Sequence, residues 1–164
     1  MDSPCYVAAL RILKYRFNSE AELRRKLRSK KFEREEIDLA MARLQAEKWL
    51  DDERFAGSFV RTRIQKSIGR LRIRRELQAA GVADEAAQRA LSENVDADRE
   101  QDDLSAACRK RMRVLARKHG EAWLSTEEGR SKIASYLMTR GYDSRRVWET
   151  VRTETESERR RLLE

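Results

Sequence analysis

The chain has little of what ends a helix or builds a strand. Its 164 residues include 1 proline and 6 glycines, and the proline is Pro4, so nothing beyond Tyr6 forces a helix to break. Alternation of Val, Ile, Thr and aromatic residues never runs for more than a few positions, whereas the helix formers Leu, Ala, Arg, Glu, Lys and Gln dominate. The sequence therefore predicts an all-α protein.

Residues that usually build active sites are also scarce. His119 is the only histidine, so a two-histidine metal site is excluded and any histidine-assisted nucleophile would have to use this residue. It precedes Gly120 at an expected helix end, which favours a capping or solvent-facing role. Gly69 stands alone rather than in a phosphate-binding loop. We predict that the protein is not an enzyme and needs no cofactor or metal.

Acidic residues and cysteines are placed where a structural role is favoured. Asp51, Asp52 and Glu53 are consecutive at a helix start, where successive side chains point apart, so capping is favoured over a cation site. Cys5 and Cys108 lie far apart without metal-ligand spacing, which favours free, buried thiols in a reducing compartment. No apolar run approaches about 18 residues, and no basic segment precedes a long apolar run. We expect a cytoplasmic protein with no membrane partner.

Positive charge is in excess and locally clustered. The 37 Lys and Arg residues against 29 Asp and Glu give a net charge of +8, which favours an anionic partner. The stretch 61–75 contains no acidic residue, and its arginine forks suit phosphate or carboxylate. The alternative for each cluster is a solvent-exposed face with no partner. For the first cluster this alternative is less favoured, because no glutamates lie at i+4 to balance the arginines. The first cluster is Arg61, Arg63, Lys66, Arg70, Arg72, Arg74 and Arg75, and the second is Arg109, Lys110, Arg111, Arg113, Arg117 and Lys118.

The sequence repeats itself three times. Aligning Leu23 with Ile73 and Ile133 gives apolar columns without gaps at offsets of 50 and 60. Within each copy, the first two columns are four residues apart, and so are the last two. This spacing predicts two helices, separated by a turn at Gly81 or Gly141 in the left-handed conformation. The columns are Leu23, Ile73 and Ile133; Leu27, Leu77 and Leu137; Phe32, Val82 and Tyr142; Ile37, Ala87 and Val147; and Met41, Leu91 and Val151.

Each repeat has room for a leading helix, near residues 5–15, 52–65 and 98–118. We therefore predict an elongated right-handed array of three three-helix repeats, at 1–50, 51–96 and 97–155, with a charged tail at 156–164. Capping pairs are expected at Ser19 with Glu22 and at Ser125 with Glu128. The additional ten residues of the third repeat, near 119–125, are expected in a surface loop or a longer helix.

Three tryptophans leave a choice between core packing and base stacking. Trp49 and Trp148 lie near the ends of third helices, where large aromatic side chains usually fill the space between repeats, so packing is favoured. For Trp123, in the insertion, stacking on nucleobases and packing are equally favoured.

Three blocks of the sequence carry a family resemblance: SEAELRRKLRSKKF at 19–32, KWLDDERFAGSFVRTR at 48–63 and GRLRIRRELQAAGV at 69–82. Together they resemble the RecX family, regulators of the bacterial recombinase RecA. The resemblance spans nearly the whole chain and weakens in the third repeat. It implies tandem three-helix repeats and a protein that binds in the groove of the RecA filament on single-stranded DNA. There it would inhibit filament growth, ATP hydrolysis and strand exchange in recombination, DNA repair and the SOS response.

The family motif is carried over by position. Arg70 stands where the family often has proline, and Lys31 replaces the usual glycine of the first repeat, so both departures affect local turns. The matching residues are Leu50, Asp51, Asp52, Arg54, Phe55 and Ala56, and Gly69, Arg72, Ile73, Glu76, Leu77 and Gly81.

The resulting hypothesis is a monomeric regulator whose basic clusters, including Arg109, Lys110 and Arg113, meet acidic protein surface or phosphate. The expected partner is the RecA nucleoprotein filament, with direct contact to single-stranded DNA left open. The rival interpretation is a basic nucleic-acid-binding module without a protein target, because the charge explains that equally well.

Overall fold

The computed structural model describes residues 2–161, and these residues form nine α-helices and one short 3₁₀ helix without any strand. The all-α prediction is confirmed. The helices are α1 Pro4–Tyr15, α2 Glu20–Ser29, α3 Arg34–Ala46, α4 Asp52–Gln65, α5 Arg70–Ala79, α6 Asp84–Asn94, α7 Ala97–His119, α8 Glu127–Thr139 and α9 Ser144–Arg161, with the 3₁₀ helix Ala122–Ser125 between α7 and α8. Residues 156–161, placed in the expected tail, continue α9, and 162–164 lie outside the described residues.

The three-helix repeats are confirmed by burial. Leu23, Ile73 and Ile133 are 0% exposed, and so are Leu27, Leu77 and Leu137. The columns on the third helices are buried as well, and in the turn column Phe32 alone is only partly buried. One face of each helix carries these residues, and in the first and third repeats the three helices pack around them. The first repeat is α1–α3, the second α4–α6 and the third α7–α9.

The chain divides into two compact units. The first unit contains the residues up to Arg61 together with Arg74–Asn94, and the second contains Thr62–Ile73 and the residues from Val95 onward. In the first unit, apolar residues of α1, α2 and α3 pack around Leu23 and Leu27. In the second, residues of α7, α8 and α9 pack around Ile133 and Leu137.

The turns that end α2, α5 and α8 take the left-handed conformation expected for them. Gly81 has φ 80°, Gly141 has φ 90° and Lys31 has φ 68°. In all three, the backbone N–H of the residue after the left-handed position donates to the carbonyl of a leucine in the preceding helix. Lys31 therefore forms the same turn as the two glycines, at the strain cost that a Cβ brings.

Most helix starts are capped by the residues expected, with two corrections. The Ser19 hydroxyl accepts from the Glu22 N–H at 3.1 Å, but the Glu22 carboxylate pairs with Arg16 at 3.2 Å, so only half of the expected capping pair forms. The Asp51 carboxylate accepts from the N–H groups of Glu53 and Arg54 at 2.9 and 3.0 Å, as the capping interpretation required.

The predicted cap at Ser125 is wrong. Ser125 ends the 3₁₀ helix, and Thr126 caps α8 through a hydrogen bond from the Gly129 N–H. The extended backbone that a cap needs falls on Thr126, at φ −73° and ψ 160°.

The insertion of the third repeat lengthens the leading helix, one of the two expected forms, and continues as a 3₁₀ helix that buries Leu124 in the core rather than as a surface loop. α7 is 23 residues long and ends at His119, with Gly120 at φ 86° after it. The 3₁₀ helix that follows lies against Gly129, where a Cβ would overlap the Trp123 carbonyl oxygen. His119 is exposed, and its ring stacks on Trp123 at 4.2 Å between centroids. His119 therefore has the solvent-facing, helix-end role expected of it.

Core packing of Trp49 and Trp148 was wrong. Their side chains are 58% and 43% exposed. Trp148 follows the fully buried Val147 on α9, and successive helical side chains point about 100° apart, so it leaves the buried face. Trp49 lies beyond the end of α3, where Leu50 is buried instead. Trp123 is partly buried against the third repeat's core.

Candidate nucleic-acid and partner interface

The first basic cluster is divided between the two units. In the first unit, Arg61 lies on α4, and Arg74 and Arg75 lie on α5. The second unit contains Arg63 near the end of α4, Lys66 in the turn, and Arg70 and Arg72 at the start of α5. Arg63 and Arg72 are half-buried, whereas the other five side chains are exposed.

Several of these arginines have partners within the protein. Arg74 forms an ion pair with Asp84 at 2.7 Å, and hydrogen bonds from its guanidinium hold the pKa of that carboxyl below its usual range. Arg61 donates to the Asn94 side chain at 3.2 Å. Such cross-element pairs lie outside the i,i+4 spacing, so sequence inspection had no signal for them.

Lys66 and Arg75 are the cluster members best placed to meet a partner. Both side chains are exposed, and neither forms an ion pair with a residue in the described range 2–161. An exposed guanidinium or ammonium without an internal carboxylate keeps its full charge for phosphate or an acidic surface.

The second cluster lies on α7 within the second unit. Arg109 pairs with Glu154 of α9 at 2.7 Å, and Arg111 lies over the Tyr136 ring at 4.8 Å, so both have structural contacts. Lys110 and Arg113 are exposed, and neither pairs with a carboxylate of the described chain. Beside them α7, α9 and the 3₁₀ helix enclose an open cleft of about 590 Å³. Arginines and glutamates both line the cleft, namely Arg109, Arg113, Arg117 and Arg161 with Glu121, Glu154 and Glu158.

The family-motif residues are concentrated where helices meet. Phe55, Ile73 and Leu77 are buried, at 3%, 0% and 0% exposure. Arg54 is exposed and lies over the Phe17 ring at 4.9 Å. Glu76 is half-buried on α5.

In the first unit, the start of α2 is held by residues of the second repeat. We call this the first joint, made of Ser19, Glu20, Asp52, Ala80 and Gly81. The Ser19 hydroxyl donates to the Ala80 carbonyl, and the Glu20 N–H donates to the Asp52 carboxylate at 2.8 Å. A Cβ on Gly81 would overlap the methyl group of the neighbouring α2 alanine. Burial raises the pKa of Asp52, although the hydrogen bond from Glu20 opposes the rise.

In the second unit, the start of α5 is held by residues of the third repeat. This second joint is made of Gly69, Arg70, Glu100, Arg140 and Gly141. The Gly69 N–H donates to the Arg140 carbonyl at 2.8 Å, and the Arg70 N–H donates to the Glu100 carboxylate at 3.3 Å. Gly69 must be glycine because a Cβ would overlap the Gly141 carbonyl. Proline at position 70 could not donate the bond to Glu100, so the departure from the family motif fits this joint.

Three arginines strengthen the second joint. Glu100 is 8% exposed, and its carboxylate pairs with Arg146 of α9 at 2.9 Å and with Arg70 at 3.9 Å. Arg140 donates to the backbone carbonyls of Lys66 and Ser67, the latter at 2.9 Å. The sequence analysis missed Glu100, Arg140 and Arg146 because their partners are far away in the chain.

The side chains offer little conventional site chemistry. Cys5 and Cys108 are free and buried, as predicted, and burial raises the pKa of the Cys108 thiol to about 12. Within residues 2–161, no group of three or more His, Cys, Asp or Glu side chains is arranged to hold a metal. In the same range, every helix is too short or too polar to cross a membrane.

Comparisons with known proteins agree with the repeat architecture. The family model for the RecX second three-helix domain matches residues 51–91, and the model for the RecX first three-helix domain matches residues 5–44. A crystal structure of RecX from Lactobacillus salivarius superposes with a TM-score of 0.74 at 25% identity, covering 93% of this chain and 94% of that one.

Two curated relatives are both named regulatory protein RecX. The protein from Serratia proteamaculans is 35% identical over 156 residues, which cover 82% of this chain and 88% of the relative. The protein from Actinobacillus pleuropneumoniae is 44% identical over 75 residues, covering 46% of this chain and 50% of the relative. The chain thus spans about half the length of the latter and most of the former. It belongs to the RecX family of regulatory proteins.

Proposed function

We propose that this protein regulates the RecA recombinase by binding in the groove of the RecA filament on single-stranded DNA. There it limits filament extension, ATP hydrolysis and strand exchange. Membership of the RecX family is the observation that carries the proposal. The family's name supports a regulatory role, and the exposed cations support a polyanionic assembly as the target.

The contact surface of this proposal is the pair of basic clusters. Lys66 and Arg75 of the first cluster, with Lys110 and Arg113 of the second, are exposed and make no ion pair within residues 2–161. Arg63, Arg70, Arg72, Arg74 and Arg109 already serve internal contacts or are half-buried, so we assign them supporting roles. In this proposal the protein, with its repeats at 1–50, 51–96 and 97–155, acts as a monomer.

Recombinase ATPase activity on single-stranded DNA tests the proposal. Substoichiometric amounts of this protein should lower the steady-state rate, because a bound regulator stops extension for many subunits. Lys66→Glu with Arg75→Glu should weaken inhibition by at least tenfold in concentration, since each change reverses a charge without breaking an internal pair. Arg25→Glu with Lys30→Glu is the matched control, because both side chains are exposed, lie outside both clusters and form no ion pair with a residue in the range 2–161.

The rival function, nucleic-acid binding without a protein target, makes an opposite prediction for affinity. A plain DNA binder holds bare and recombinase-coated strands equally and loses affinity steeply with salt. A filament regulator prefers the coated strand. Equal affinity for both strands, or an unchanged ATPase rate, would overturn the proposed function.

A further inference from the structure

The connection between α1 and α2 exposes two aromatic rings. Tyr15, the last residue of α1, is 89% exposed, and Phe17 is 47% exposed. Arg16 lies between them in an extended conformation, at φ −161° and ψ 158°. Large aromatic side chains normally bury their faces, so two exposed rings on one short connection form an uncommon surface feature.

Positive charge surrounds these rings. Arg11 and Lys14 are exposed on the last turn and a half of α1, and Arg16 is exposed within the connection. The Arg54 guanidinium lies 4.9 Å from the centre of the Phe17 ring. Lys26 lies close enough to Arg16 for the Arg16 charge to lower its pKa, although burial is the larger cause.

Few carboxylates offset these five cations. Among residues 2–161, Arg16 is the one member that forms an ion pair, with Glu22 at 3.2 Å. The surface therefore combines the exposed Tyr15 ring, and a Phe17 ring that Arg54 covers on one side, with largely uncompensated positive charge. We call the group of Tyr15, Phe17, Arg11, Lys14, Arg16, Lys26 and Arg54 the aromatic platform.

Hydrogen bonds of Asn18 and Ser19 order the connection that carries the platform. Asn18 is 2% exposed, and its amide donates to the Arg16 carbonyl at 2.8 Å. The amide oxygen of Asn18 accepts from the Lys26 ammonium at 2.6 Å, and Ser19 caps α2. Because these bonds order the connection in advance, little conformational entropy remains to be lost when a ligand meets the rings.

We propose that the aromatic platform binds single-stranded nucleic acid, with bases stacked on Tyr15 and Phe17 and phosphates near the surrounding cations. Unpaired bases present faces to aromatic side chains, whereas bases in a duplex are already stacked on their neighbours. Aromatic rings with cations at their edges suit a polyanion better than they suit an apolar protein groove. The proposal takes its biological setting from the proposed function, in which single-stranded DNA lies within the filament, and its test needs no recombinase.

The test is fluorescence anisotropy with a labelled oligothymidylate and an abasic strand of equal length, measured over a series of salt concentrations. Tyr15→Ala should weaken oligothymidylate binding about tenfold without changing the salt slope, and should leave abasic-strand binding unchanged. Lys14→Ala should weaken both strands alike and reduce the slope by about 0.7, the value for one phosphate contact on a single strand. Trp148→Ala, which removes an exposed aromatic residue on α9, is the control and should change neither.

Three results would overturn the platform. Tyr15→Ala could leave oligothymidylate binding unchanged, it could weaken the abasic strand equally, or the wild type could fail to bind either strand at low salt. Far-ultraviolet circular dichroism accompanies each variant, and Phe17→Leu, which keeps an apolar contact for Arg54, provides a second ring deletion. If the protein inhibits the recombinase ATPase but does not bind bare strands, the platform proposal is wrong and the proposed function is retained. If Tyr15→Ala weakens oligothymidylate binding but the protein does not inhibit the ATPase, the platform proposal is retained and the proposed function is wrong.

Discussion

The two joints solve the same problem with different residues. In each, the start of a middle helix contacts a turn of the next repeat, and one of its backbone N–H groups donates to a carboxylate from that repeat's leading helix. Asp52 plays the carboxylate part in the first joint, and Glu100 plays it in the second. An oxygen acceptor is needed there because a helix start carries N–H donors that have no partner within the helix.

The joints differ in how closely the two backbone segments approach and in how many ion pairs the carboxylate forms. Ser19 reaches the Ala80 carbonyl with a side chain, whereas Gly69 brings its own backbone against Gly141, so the second joint leaves no space for a Cβ. Glu100 has two arginine partners, whereas Asp52 forms no ion pair with a described residue and has a raised pKa. The lesson is that closer backbone approach accompanies a more complete polar network, and the second joint should be the more sensitive to substitution.

The largest expected effect is from Gly141→Ala. A Cβ there would overlap Arg72, and φ 90° strains any other residue, so two independent costs add to about 4 kcal/mol in the free energy of unfolding. Urea denaturation followed by circular dichroism measures the loss.

Two other glycines separate the two costs. Gly120→Ala keeps the positive φ but meets no atom within 4 Å, so it should cost about 2 kcal/mol through strain alone. Gly69→Ala has no positive φ but overlaps Gly141, so it should also cost about 2 kcal/mol. If Gly141→Ala costs no more than Gly120→Ala, the turn does not pack tightly against α5 and the comparison of joints fails.

A smaller effect is expected from neutralising the joint carboxylates. Glu100→Gln leaves the Arg146 guanidinium facing a neutral amide, and we expect a loss of about 2 kcal/mol. Asp52→Asn keeps an oxygen for the Glu20 N–H and removes a charge that burial disfavours, so its cost should be below about 0.5 kcal/mol. Equal losses for the two variants would show that the arginines add nothing to the second joint.

The pH dependence of the Asp52 variant has a definite sign. Because the folded-state pKa of Asp52 is raised, its ionised form costs stability at neutral pH, and that cost is removed as pH falls through the folded pKa toward the unfolded value near 4. Wild type should therefore gain stability relative to Asp52→Asn between about pH 7 and pH 4. A constant difference across that range would contradict the raised pKa.

Sequence inspection predicted the architecture well because the apolar columns follow the spacing of residues along one face of a helix, which involves only residues close together in the chain. Burial of Ile37, Ala87 and Val147 follows from helical spacing alone, and the left-handed turns follow from where the columns stop. Asp52 was expected to cap its own helix, and Glu100 was not singled out. Their contacts with other helix starts were missed because the two residues lie at different distances from those starts, so self-alignment does not superpose them.

The basic clusters show the same limit of sequence analysis. A run without nearby acids indicated unpaired arginines, yet Arg74 and Arg70 find Asp84 and Glu100 across helices. The pattern predicts which residues carry charge, and tertiary contacts decide which charges remain available. Tyr15 and Phe17 were not singled out because large apolar side chains are usually buried, whereas these two are exposed.

The one expected gain in stability is at the turn of the first repeat. Lys31 occupies the position of Gly81 and Gly141, but it is exposed, and no helix start of the first unit packs against its turn. A Cβ is therefore tolerated there, and the only cost is the strain of the left-handed backbone. Lys31→Gly should raise the free energy of unfolding by about 1 kcal/mol, because relief of strain exceeds the added entropy of the unfolded glycine. Lys31→Ala removes the same charge but keeps the Cβ, so its stability should match wild type within about 0.5 kcal/mol. Thermal and urea denaturation of the three proteins measure the difference, and a stabilisation shared by both variants would trace it to the charge of Lys31 rather than to its backbone.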